Sequence, residues 1–234
     1  MPSAAPDDGF GQQVLGQLTK AWNQPEFPLS DAQKGDLVRF LVLMNQWNRV
    51  HSLTAIEDPA EQVTKHLLDA LSGWPLIERA FGRQPAICIA DVGSGMGVPG
   101  IVWALVMPQS RFDLIERQQK KVAFLTHVVG RLGLLGRVRV VGKDVQNWQP
   151  TAPYDLITSR AFAALGDFVH LTWNVSSPQT RWAAMAGKVN KEKAYIGSEL
   201  SQTLPNGAQI EKVEAVTVPG LDAERHMIWI RRHD

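Results

Sequence analysis

Apolar and polar residues change texture twice along the chain. From Asp36, the residues Leu37, Phe40, Leu41, Met44 and Trp47 recur at helical spacing, with Arg39, Asn45, Gln46 and Asn48 on the other faces. This predicts an amphipathic helix ending near Asn48. The 30 residues at the start are rich in Pro, Gly, Gln and Asp, and Val14, Leu15 and Leu18 support one short helix facing a core. Asp58-Pro59-Ala60-Glu61 reads as a helix start, because Asp58 can accept free N–H groups, Pro59 fits the first turn and Glu61 completes a capping box. Val63, Leu67, Leu68 and Leu71 form its buried stripe, Gly73 is its expected stop, and Pro75 to Phe81 adds a short helical piece. Residues 1–83 therefore read as a helical extension without a strand signal.

From Pro85 the pattern alternates. Short apolar runs at 86–92, 111–115, 137–141, 154–158 and 181–185 read as strands. Helical stretches at 98–107 and 118–132 separate the first three, one at 163–173 separates the fourth from the fifth, and a further helix is expected at 191–200. Two strands without an intervening helix, 209–218 and 225–231, close the chain as an edge hairpin. Strands alternating with helices give right-handed β-α-β units. The expected fold is α/β and Rossmann-like: a mostly parallel seven-stranded sheet over residues 84–234, with the helical extension before it.

The first predicted strand breaks into Asp91-Val-Gly-Ser-Gly-Met-Gly-Val-Pro-Gly100. Glycines let the backbone take left-handed dihedrals and let a ligand approach without a Cβ in the way. Two templates fit. Gly95-x-Gly97-x-x-Gly100 suits a dinucleotide. Asp91-x-Gly93-x-Gly95-x-Gly97 looks like the first motif of S-adenosylmethionine-dependent methyltransferases.

Composition narrows the field. Lys and Arg number 24 against 23 Asp and Glu, a net charge of +1, so the molecule as a whole is no basic nucleic-acid binder. Basic residues do cluster at Lys120, Lys121, Arg131, Arg137, Arg139 and Lys143, either as a solvated face or as a local phosphate-binding one. The lone Cys88 excludes an internal disulfide framework and reads as inert packing in a buried strand. No apolar run reaches membrane-spanning length, and no basic-then-apolar leader opens the chain. A soluble cytoplasmic protein without a metal site is expected, with a monomer as the default.

In an open parallel sheet, ligands bind at the C-terminal ends of the strands. Glu116 ends the second predicted strand 23 residues after Gly93, near the offset at which a carboxylate accepts from ribose hydroxyls. Asp91 is expected to take donors around the loop or to meet a cofactor ammonium through water. Val98 is placed to pack on the ligand, and Val145 and Gln146 to hold an adenine face and edge. Arg160 leaves the fourth strand toward the same crevice, where a carboxylate or phosphate would be its partner; a structural pair with Asp144 or Asp155 is the alternative.

Several further motifs stand in one order: Asn45-Gln46-Trp47-Asn48, Leu53-Thr54, His66-Leu67-Leu68-Asp69, the glycine stretch, Ser159-Arg160-Ala161-Phe162 and Glu224-Arg225-His226. Together, from about Leu37 to Ile230, the chain resembles the glucose-inhibited division protein B family, bacterial methyltransferases that modify N7 of a guanine in 16S ribosomal RNA of the small subunit. The resemblance implies S-adenosyl-L-methionine bound by Asp91, Gly93, Gly95, Gly97, Val98, Glu116, Val145, Gln146 and Arg160. It implies that Asn48 and Arg160 position the reacting groups. His66, Asp69, Phe162, Lys188, Arg225 and His226 would serve the RNA side. Read alone, His66 and Asp69 are equally ordinary surface residues. The chain departs from the family at Ala186, where a lysine usually precedes glycine, with Lys188 two residues on, and in the loop Arg117-Gln118-Gln119. A nicotinamide-dependent oxidoreductase and a non-catalytic ribosome-binding protein remain the alternatives; the first requires a helix beginning just after Gly95.

Overall fold

The computed structural model describes residues 8–51, 54–160, 164–188, 204–205 and 207–232. Four helices come first: α1 (Asp8–Ala21), α2 (Asp31–His51), α3 (Pro59–Gln62) and α4 (Asp69–Phe81), the last two joined by a π-helical stretch, Val63–Leu68. Helix α2 is longer at both ends than its apolar spacing indicated. In α1, Val14 and Leu18 are fully buried but Leu15 faces solvent. The Asp58 carboxylate accepts from Glu61 N at 2.9 Å, so the cap forms as expected.

Gly73 does not stop a helix. It lies inside α4, which runs on through Pro75 to Phe81. A Cβ there would stand 3.0 Å from the Trp103 ring and 3.1 Å from Met227 Cε, so the residue is small because packing is tight. Gly73 is thus a contact point between the front helices and the sheet.

Seven strands follow among the described residues: β1 (Cys88–Val92), β2 (Arg111–Ile115), β3 (Val138–Val141), β4 (Leu156–Ser159), β5 (Arg181–Ala186), β6 (Ala208–Ala215) and β7 (His226–Arg232). Helices α5 (Gly100–Val106), α6 (Gln119–Arg131) and α7 (Leu165–Leu171) connect them. The strand order is β3-β2-β1-β4-β5-β7-β6. The first five strands run parallel, while β7 is antiparallel to both β5 and β6. The order reverses between β1 and β4, which is where such sheets open a ligand crevice. The helix expected at 191–200 falls outside the described residues.

One apolar cluster joins the front helices to one sheet face, through Phe40, Met44, Leu67, Leu71, Trp103, Phe112 and Phe124. Trp103 Nε1 donates to Ala70 O at 2.8 Å and pins α4 onto α5. A second cluster around Ile157, Phe168 and Trp182 covers the other face. Each such side chain contributes roughly 2 kcal/mol on burial. Cys88 is not packed as expected: it is the exposed first residue of β1, and its thiol is pushed up by partial burial and by Asp155.

Candidate functional site

Beyond Val92 the chain turns through Gly93, Gly95 and Gly97 at φ +69°, +56° and +80°, a region L side chains avoid. Gly93 N and Ser94 N both donate to Ile115 O, at 2.9 and 3.2 Å, which fastens the loop to the end of β2. Ser94 Oγ donates to Asp91 O at 2.6 Å. The Asp91 carboxylate is buried beneath the loop and accepts from Gly100 N at 3.0 Å. Burial raises its pKa to about 7, against the lowering effect of the Gly100 N–H. A Cβ on Gly100 would overlap Leu114 Cδ2 and lie 2.6 Å from Asp91 Oδ2, and the residue opens α5. Gly100 thus serves helix packing, and the helix starts five residues beyond Gly95. That geometry departs from the dinucleotide template.

The crevice at this loop is lined by Gly93, Ile115, Glu116, Lys121, Val145, Ser159 and Leu171, among others. Glu116 is almost fully buried; its Oε2 accepts from Gly95 N at 3.0 Å and its Oε1 from Gln118 N at 2.8 Å. Each oxygen keeps a lone pair, so a diol can be accepted from as well. Ile115, Val145 and Leu171 supply apolar wall. No atom lies within 4 Å of where a Gly93 Cβ would sit, so the space beside that backbone is open. A carboxylate, open glycine backbone and apolar walls suit a nucleoside.

The other residues expected in the crevice stand elsewhere. Val98 is buried among core side chains and does not line it. Gln146 is exposed; its N–H donates to Asp144 Oδ1 at 3.1 Å, so its side chain is the part left for a ligand. Arg117 spans to Asp144 at 3.6 Å on the crevice rim.

Arg160 does not turn into this crevice and does not pair with Asp144 or Asp155. It lines a second cavity with Ile56, Lys65, His66, Asp69, Met185, Ala186, Gly187 and Arg225. There Arg160 Nη1 donates to Lys65 O at 2.8 Å and sits 3.4 Å from Asp69 Oδ2, while Arg225 Nε donates to Asp69 Oδ1 at 3.0 Å. Asp69 is buried and holds two guanidinium groups, one on each oxygen. His66 is 5% exposed, and neither ring nitrogen has a hydrogen-bond partner. Burial, then the charge of Arg160, lowers its pKa to about 4, so the ring is neutral. Neither His66 nor Asp69 is the surface residue that local sequence allowed.

The π-helical stretch explains this placement. It carries Lys65 and His66 and ends at Asp69. Such widened turns tend to occur at functional sites, because they re-aim side chains and carbonyls. Arg160 uses the carbonyl of Lys65; His66 and Asp69 point into the same cavity.

His226 is buried, and its Nδ1 lies 2.9 Å from Gly187 O, so it supports a cavity wall. Lys188 is exposed and does not line the cavity, whereas Ala186 does. Asn48 does not line it either. Its Oδ1 accepts from Thr54 N at 2.7 Å, and Thr54 Oγ1 accepts from Ile56 N at 3.1 Å, so it fastens the loop that brings in Ile56. Phe162 lies outside the described residues. Sequence reasoning missed the Asp69 bridge, whose partners are 91 and 156 residues away and leave no local signal. It also missed an Asp113–Tyr154–Arg139 network at the opposite end of the sheet, where the buried Asp113 carboxylate accepts from the Tyr154 hydroxyl and pairs with the exposed Arg139.

Comparison with known proteins places this geometry. Residues 33–228 match the family model described as rRNA small subunit methyltransferase G. The protein named ribosomal RNA small subunit methyltransferase G from Stutzerimonas stutzeri (strain A1501) is 38% identical over 216 residues, 92% of this chain and 94% of that one. Its namesake from Methylibium petroleiphilum is 38% identical over 224 residues, 95% and 97% of the two chains. Among solved structures, the S-adenosylmethionine-dependent methyltransferase SibL has a TM-score of 0.55 at 14% identity, covering 97% of this chain and 76% of that one. TrmN from Thermus thermophilus has a TM-score of 0.50 at 15% identity, covering 97% and 80%. These structures share the fold of class I methyltransferases. With an ordered match across most of its length, the chain belongs to the rRNA small subunit methyltransferase G family.

Proposed function

We propose that the protein transfers a methyl group to N7 of one guanine in 16S ribosomal RNA, with the small ribosomal subunit as substrate particle. The cofactor of this family and fold is S-adenosyl-L-methionine, which supplies an electrophilic methyl group on a sulfonium. Glu116 would hold its ribose hydroxyls, and Gly93, Gly95 and Gly97 its flank. Val145 would face the adenine, with the Gln146 side chain at its edge.

One observation carries the reading: consecutive residues at the end of β4 serve different cavities. Ser159 lines the crevice and Arg160 the second cavity. A base seated in the second cavity therefore lies beside the cofactor's position. Guanine N7 presents an in-plane lone pair and carries no proton, so no residue has to remove one. The work left to the chain is to hold N7 in line at close contact, which is worth several kcal/mol of barrier. Positive charge moves onto the base as it is methylated. Among the described residues Asp69 is the one carboxylate lining the cavity, and the neutral His66 adds no opposing charge. Arg160 and Arg225, partly exposed, would orient the RNA while held by Asp69. In this reading, residues 1–83 form the helical extension that supplies the substrate side, residues 84–234 bind the cofactor, and a cytoplasmic monomer does the work.

The test is to incubate the protein with methyl-labelled cofactor and small subunits from cells that lack it. The label should map to a single guanine and be lost on mild treatment that cleaves RNA at N7-methylguanine. Label on an exocyclic amine, or none in RNA, would overturn the proposal.

A further inference from the structure

Helix α6 carries a pattern that neither cavity explains. Its sequence contains no Asp or Glu. Lys120, His127 and Arg131 fall seven and then four residues apart, so they form one stripe along the helix. All three are exposed, and none forms an ion pair among the described residues. The stripe runs about 16 Å at the helical rise. It begins at the crevice, which the adjacent Lys121 lines.

Midway along, the stripe meets the last turn of α2. The half-buried Trp47 ring lies 5.5 Å from the His127 ring and 5.1 Å from that of the exposed His51. Its edge packs on Phe124 at 5.7 Å, which fixes its position. Val50, in the same turn, is 74% exposed. The next segment is the one that Asn48 fastens through Thr54 to Ile56, a wall of the second cavity. This surface therefore borders the crevice on one side and the loop of the second cavity on the other.

A one-sign stripe on a chain of net charge +1 is a local feature with a polyanion as its complement. Aromatic rings interleaved with cations suit an unpaired nucleic-acid strand, whose phosphates meet the cations while a base stacks. We infer that the α6 stripe and the Trp47–His51–His127 cluster form a second RNA-binding surface, which grips the backbone of the substrate RNA and stacks an unpaired base away from the target guanine. This rests on the RNA-methyltransferase reading above and adds where the rest of the RNA runs.

The test uses the full chain with Lys120→Glu/Arg131→Glu, and separately His51→Ala/His127→Ala. The charge pair should raise KM for the small subunit about tenfold, leave kcat and cofactor affinity unchanged, and flatten the dependence of log(kcat/KM) on log salt by about one unit or more. The histidine pair should raise KM a few-fold without changing that slope. Binding of deproteinised 16S RNA should weaken in parallel. Unchanged KM and slope in the charge variant would overturn the inference. So would a loss on subunits without weaker binding of the free RNA, which would assign the surface to a ribosomal protein. Should the unaltered protein transfer no methyl group to RNA, the functional reading fails instead, and the RNA-binding comparison still decides this one.

Discussion

The two cavities meet at Ser159 and Arg160 but are built from different material. The crevice is framed by main chain: a loop of three left-handed glycines, of which Gly93 lines it, fastened to the Ile115 carbonyl, and a carboxylate that accepts from Gly95 N and Gln118 N. The second cavity is largely side chain, with Asp69 gathering Arg160 from β4 and Arg225 from just before β7. Their buried titratable groups are shifted in opposite directions. Asp91 is pushed toward its protonated, neutral form, and His66 toward its deprotonated, neutral form. In both places burial disfavours the charged form. Asp69 alone, in the second cavity, is compensated by two cations. A main-chain site tolerates little change of volume, whereas a side-chain site depends on charge balance.

That contrast can be broken at three points. The largest effect should come from Asp69→Ala, which leaves two guanidinium groups without their shared acceptor. It should cost about 3 kcal/mol in urea unfolding and cut methyl transfer at least about a hundredfold. Cofactor affinity, measured by calorimetry, should hardly move, and a parallel loss of it would mean that the cavities are not separable.

Gly100→Ala should do the reverse. The added methyl meets Leu114 and the Asp91 carboxylate. We expect about 2 kcal/mol of destabilisation together with weaker cofactor binding. RNA affinity of the folded fraction should stay as before.

The smallest effect is the pH dependence. For Asp91 the folded pKa of about 7 exceeds the ordinary 3.8, so the stability it contributes is complete at low pH and is lost as pH rises toward 7. His66, with a folded pKa of about 4 against 6.5, works oppositely: its contribution is complete above 6.5 and is lost as pH falls toward 4. Between about 4 and 6.5 the two slopes oppose each other. Urea unfolding of Asp91→Asn should therefore show stability rising with pH in that window more steeply than in the unaltered protein. An unchanged profile would mean that Asp91 does not titrate there.

The same contrast explains what could be read from sequence. The crevice announces itself because its glycines are needed where they stand and lie within a few residues of one another. Glu116 was found through a fixed offset in the same fold unit. The mostly parallel sheet and the antiparallel hairpin at its edge followed from alternation and from the missing helix before β7; the strand order did not. The second cavity carries no local pattern. His66 and Asp69 sit three apart on what periodicity reads as an ordinary amphipathic helix, and nothing nearby signals the π-helical turn or their burial. Only resemblance brought them together with Arg225, and it set Arg160 with the cofactor. It could not say that Asp69 is the joint between them, or that Asn48 acts through Thr54. Gly73 misled for the reverse reason: a glycine late in a helical stretch looks like a terminator, whereas here the Trp103 ring demands it.

The antiparallel direction of β7 has a consequence in time. Because that strand runs against its neighbour β5, its first residue, His226, pairs with Ala186 at the end of β5, and Arg225 lies just before it. During synthesis every residue of the crevice from Gly93 to Leu171 emerges well before Arg225. A nascent chain can thus assemble the crevice first, while Asp69 and Arg160 wait for their third partner. The second cavity closes only after six of the seven described strands have emerged, so the crevice can form before it.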